Sequence, residues 1–147
     1  MPILNYSTSV SVDKTVAEVQ KILAQQWTRE ISTQYDKGVP SGISFLIQTR
    51  YGERAFRLPI NHAAVYTVLT RQYHQGKIPP RYATEEQALR VAWRIAKDWL
   101  LAQLAVIESE MVTLDEIMMP YMLLGDGETV YERMVSQQLA LPPGGAS

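Results

Sequence analysis

Apolar and polar residues in this chain follow two rhythms, one repeating every second position and one every third or fourth. PILNYSTSVSV has β-branched residues in rough alternation, which predicts an opening strand ending near Val12. Thr15 followed by Glu18 has the form of a capping box, and Val16, Val19, Ile22 and Leu23 share one side of the helix it opens. That helix is expected to fade by Trp27. REISTQYD then reads as a strand, DKGVPSG as a turn, and ISFLIQTR as a strand whose inward set is Ile43, Phe45 and Ile47. Tyr51, Gly52 and Glu53 make a short hairpin connection into RAFRLPI, where Phe56 and Leu58 alternate with Ala55 and Arg57 until Pro59 ends the strand.

The second half reads as helical. Asn61 is an N-cap for a helix from His62 to Tyr73 that buries Val65, Val68 and Leu69, and GKIPPRY breaks it. Thr84 with Gln87 opens a long central helix near residues 85–111, which would span roughly 40 Å. Thr113 with Glu116 opens a shorter helix that Pro120 must kink or end. LLGDGET is a turn, TVYERMVSQQLA a last short helix, and LPPGGAS (141–147) a disordered tail. The sum is an α+β fold: one domain over residues 1–140, with a small antiparallel sheet of about four strands packed by helices.

The long helix carries two apolar seams. Leu89, Trp93, Ala96, Leu100, Leu104, Ile107 and Met111 form one; Ala92, Ile95, Trp99, Ala102 and Val106 form the other. One sheet covers one seam. The second needs neighbouring helices of the same chain or a partner chain, so a homo-oligomer through the apolar long helix is expected.

Composition narrows the class. The chain has 147 residues, 46% of them hydrophobic, which suits one globular domain. It has no cysteine, so disulfides and thiolate metal sites are excluded. MPILNYSTSVSVDK lacks the features of a signal peptide and no run is long enough to span a membrane, so an intracellular protein with no membrane partner is expected. Net charge is −1, but unevenly spread: residues 50–97 hold nine cations against three carboxylates, whereas from residue 98 onward Arg133 stands alone against eight. Either the basic segment binds anions, or it docks on an acidic face of another protomer.

Candidate chemistry therefore centres on phosphate. Arg50, Arg54, Arg57, Arg90, Arg94 and Lys97 are the candidate phosphate ligands, because guanidinium groups engage two oxygens at once, and Trp93 and Tyr82 are the candidates for base stacking. The competing reading is a lattice of surface ion pairs, with Glu86–Arg90 and Arg94–Asp98 at i,i+4 spacing. His62 and His74 are about three turns apart and share no metal-binding spacing. Glu108, Glu110, Asp115 and Glu116 read as solvated, and no serine or histidine pattern supports a nucleophile. No metal, cofactor or catalytic residue is expected.

NYSTSVSVDKTVAEVQKILA, RAFRLPIN and VAWRIAKDWLLAQLAVIESEMVTLDEIMMPYML resemble a family of small accessory proteins encoded by tailed bacteriophages and prophages. The resemblance covers most of the chain and implies action in the host bacterial cytoplasm; it supplies no ligand residue. Three functions are then expected in order: sequestering a phosphate-bearing small molecule such as a nucleotide immune signal, as an anti-defence sponge; binding single-stranded nucleic acid in phage replication or recombination; and acting as a protein-only inhibitor or scaffold.

Overall fold

A computed structural model describes residues 1–26 and 28–137. Trp27, where the first helix was expected to fade, and the tail at 141–147 lie outside the described residues. The order is α1 (Val12–Ala24), β1 (Thr28–Asp36), β2 (Val39–Thr49), β3 (Gly52–Arg57), α2 (His62–His74), a 3-10 turn (Pro80–Tyr82), α3 (Glu85–Glu108), α4 (Leu114–Met118), a second 3-10 turn (Met119–Tyr121) and α5 (Val130–Ser136). The fold is α+β, with three strands in an antiparallel meander among the described residues rather than about four.

The missing strand is the first one. Residues 2–11 lie outside the sheet; Asn5 takes φ +64 and the segment turns back along α3. The Gln87 amide holds it by donating to the Tyr6 and Thr8 carbonyls at 2.8 and 3.0 Å, and the Asn5 amide donates to Asp98 at 2.9 Å. Hydrogen bonds to α3 satisfy this backbone where strand pairing was expected. The same bonds explain the start of α3: Thr84 accepts from the Gln87 N–H, but the Gln87 side chain is occupied elsewhere and closes no capping box. For α1 the cap is Ser11, whose hydroxyl accepts from the Lys14 N–H, while Thr15 is fully buried.

Both hairpins are tight. Asp36 pairs with Val39, so Lys37 (φ +51) and Gly38 (φ +84) form a two-residue turn with both central residues left-handed, as a type I′ hairpin requires. Thr49 pairs with Gly52, leaving Arg50 and Tyr51 as the second loop, and places Gly52 and Glu53 in β3.

Ile43, Phe45, Ile47 and Phe56 form the inward face and pack against α1, α3 and α4, through Val19, Leu23, Trp93, Leu100 and Met118. A second cluster joins Leu69 of α2 and Ile78 to Ala88 and Val91 of α3, with Ile3, Tyr6 and Tyr82 packed around it. Of the three residues expected to be buried on α2, only Leu69 is, while Val65 and Val68 are partly exposed. On the second seam of α3, Ile95 packs against this cluster and Trp99 stands edge-on to Tyr121, so the chain itself covers both residues. Beyond them Ala102 is exposed and Val106 only half-buried. The helix ends at Glu108, short of Met111, because Glu110 turns left-handed at φ +66.

Candidate functional site

The cations of α3 are neutralised inside the fold. Arg94 meets Glu18 of α1 at 2.6 Å and also donates to the Thr15 hydroxyl at 3.3 Å; Lys97 reaches the same Glu18 at 3.9 Å. These three side chains are only 17%, 19% and 33% exposed for Arg94, Lys97 and Glu18. Arg90 pairs with Glu86 at 3.0 Å, as its spacing predicts, and its Nε donates to Gln87 at 2.9 Å. The expected Arg94–Asp98 pair is not formed, since α1 brings Glu18 closer and Asp98 instead contacts Lys97 and accepts from Asn5.

The hairpin arginines turn to other elements. Arg50 faces Asp115 at 3.7 Å, Arg57 meets Glu132 at 2.6 Å, and Arg54 donates to the Glu53 carbonyl at 2.8 Å. Arg54 lines a cleft with Asp115 and Met119, and Arg57 lines another with Pro120 and Tyr131; neither cleft is lined by a cation of α3. Among the described residues the candidate phosphate ligands of the hairpin and of α3 therefore do not line a common cleft. Part of the basic middle and part of the acidic carboxyl-terminal segment instead pair within one chain, through Arg50 with Asp115 and Arg57 with Glu132.

Glu132 shows what Arg57 is for. Its carboxylate accepts from the Thr129 N–H at 3.0 Å while its own N–H donates to the Thr129 hydroxyl, a reciprocal capping box at the start of α5. The Thr129 contacts, with Arg57 beside them, hold the Glu132 carboxyl below the ordinary range. Asp126 is likewise lowered, first by the Glu128 N–H and then by Arg133, which pairs with both Asp126 and Glu128. These groups tie down α5.

The stacking candidates separate. Trp93 is fully buried, and its indole N–H donates to the Pro40 carbonyl at 3.1 Å. It cannot present a face to a base, because the core occupies both sides of the ring. Tyr82 is half-buried, set edge-on to Tyr6 at 5.5 Å, with the Arg81 guanidinium 4.7 Å from its ring centroid. Among the described residues, no group of three or more His, Asp or Glu is arranged to hold a metal, and His62 and His74 sit at opposite ends of α2.

Free positive charge collects at the corner between α2 and α3. Arg71 and His74 lie in the last turn of α2, where Gly76 (φ +73) lets the chain reverse and the Lys77 N–H donates to the Gln72 carbonyl at 2.9 Å. Arg81 follows in the 3-10 turn. All four side chains are exposed, and none makes an ion pair among the described residues. Tyr73, 39% exposed, lies beside them with its ring 5.1 Å from that of His74. The sequence carries one signal for this corner: no Asp or Glu occurs between Glu53 and Glu85.

No protein-family model, curated protein or solved structure matches the chain. Among the described residues no helix is long and apolar enough to cross a membrane.

Proposed function

We propose that this chain acts by binding, without turnover, and that its ligand is single-stranded nucleic acid held at the α2–α3 corner. The observation carrying this reading is the contrast in pairing: Arg71, Lys77 and Arg81 have no carboxylate partner among the described residues, whereas Arg90, Arg94 and Lys97 do. Exposed cations beside Tyr73 and Tyr82 suit a flexible backbone whose bases stack on aromatic rings. Sequestration of a small nucleotide signal is the weaker reading, since it needs several cations around one enclosed cleft. In the phage setting that the sequence resemblance implies, the protein assists replication or recombination in the host cytoplasm.

Fluorescence anisotropy with labelled oligonucleotides of increasing length tests this. Affinity is expected to rise with length and to fall with salt at a log–log slope of about −2, the value for three phosphate contacts on a single strand. The triple variant Arg71→Glu, Lys77→Glu, Arg81→Glu is expected to abolish binding while Arg90→Gln leaves it intact. Equal binding by the triple variant, or none by the native chain at low salt, refutes the proposal.

A second reading, association with another copy, rests on the uncovered end of α3, where Leu101, Ala102 and Ala105 are exposed. A monomer by light scattering at all concentrations removes it.

A further inference from the structure

The hairpin joining β2 to β3 and the segment from α4 to Met122 bound an open cleft of about 210 Å³. Phe56, only 1% exposed, forms its floor, and Tyr51, Met119 and Met122 line it above. Met119 and Tyr51 are 51% and 66% exposed, so the cleft presents apolar surface to solvent. Its floor is fixed in advance, because Phe56 bridges to Met122 and the Leu123 N–H donates to the Ala55 carbonyl at 2.8 Å. Arg54 stands on the same lining. Of the six cations that the sequence offers as phosphate ligands, it alone has no carboxylate partner among the described residues. One of its N–H groups donates to the Glu53 carbonyl at 2.8 Å, which orients the guanidinium and leaves its other donors free.

We infer that this cleft binds a small monocarboxylate with an aryl or branched alkyl body, the carboxylate on Arg54 and the body on Phe56, Met119 and Met122. Size sets the body: the volume lies below the roughly 300–1,000 Å³ of sites for drug-sized molecules, which leaves room for one ring and not for a nucleotide. Methionine side chains adapt to the outline of such a body. Charge sets the head group. Asp115 also lines the cleft but faces Arg50 at 3.7 Å, so that pair balances and Arg54 remains as the uncompensated cation. A guanidinium fork matches the two oxygens of a carboxylate, and one cation beside Asp115 suits a monoanion better than the dianion of a phosphate monoester. The site shares no residue with the α2–α3 corner and does not depend on it.

NMR titrations of the full chain, labelled at its methionine methyls, with phenylacetate, phenylacetamide, phenyl phosphate and benzylamine at low salt decide the matter. Phenylacetate is expected to shift the Met119 and Met122 signals and to bind about tenfold more tightly than its neutral isostere phenylacetamide, the worth of one charge-assisted hydrogen bond. Arg54 is exposed, so Arg54→Gln is expected to stay folded by circular dichroism, to bring phenylacetate down to the level of the amide and to leave the amide unchanged. No shift of these methyls by phenylacetate overturns the site. Undiminished phenylacetate affinity in Arg54→Gln, or benzylamine binding as tightly as phenylacetate to the native chain, overturns the assigned role of Arg54. Phenyl phosphate binding more tightly than phenylacetate overturns the monocarboxylate class.

Discussion

The α3 cations and the α2–α3 corner are both basic, and the fold treats them in opposite ways. Arg94 and Lys97 lie against α1 and share Glu18, so their charge is part of how two helices dock. Arg71, Lys77 and Arg81 occupy a helix end and a connection, are exposed and make no ion pair among the described residues, although Glu85 lies only four positions beyond Arg81. Positive charge on a sequence is therefore not a site in itself; what matters is which carboxylate the packing brings to it.

The largest test of this contrast is Trp93→Ala. A fully buried indole under the paired cations is expected to cost about 3–5 kcal/mol in denaturant unfolding; a stable variant that simply lost ligand would restore Trp93 as a stacking platform. Glu18→Ala comes next. It leaves Arg94 and Lys97 half-buried without their shared partner, and after discounting for solvent exposure should destabilise by about 1–2 kcal/mol. Thr129→Ala opens the capping box at α5 and is expected to cost about 1 kcal/mol, read as a lowered thermal midpoint.

Acid should loosen the same element. Asp126 and Glu132 have folded pKa values below their unfolded ones, so their contribution is complete above the ordinary carboxylate range of about 4 and is lost as pH falls through the lowered folded values. Hydrogen exchange is expected to show α5 opening in that window before the sheet does. The smallest effect belongs to the corner, where Arg71→Gln should change stability by less than about 0.5 kcal/mol. A larger loss would mean that Arg71 is structural and would narrow the contrast with α3.

Much of the architecture is legible locally. The alternation of Ile43, Phe45 and Ile47 and the Thr113–Glu116 box each depend on neighbours within a few residues and form as their patterns predict, whereas the turn expected over DKGVPSG tightens to Lys37 and Gly38, with Val39–Gly42 already in β2. Thr129 and Glu132 show the same spacing and close a box too. The opening stretch misleads because β-branched alternation suits any extended segment; Gln87 and Asp98, more than seventy residues away, hold it on α3 instead of in the sheet. The expected phosphate set misleads for a related reason. Glu18 and Glu132 lie seventy-six and seventy-five residues from Arg94 and Arg57, beyond the reach of any spacing rule.

What the order of residues determined alone is most of the elements, though not the fate of the opening stretch, together with the two seams of α3 and the acid-free run between Glu53 and Glu85, because periodicity, capping and local charge are short-range properties. Which seam is covered and which cations are silenced were decided only by the tertiary structure. Coulomb attraction and burial act through space, and packing brings together groups that the chain itself keeps apart.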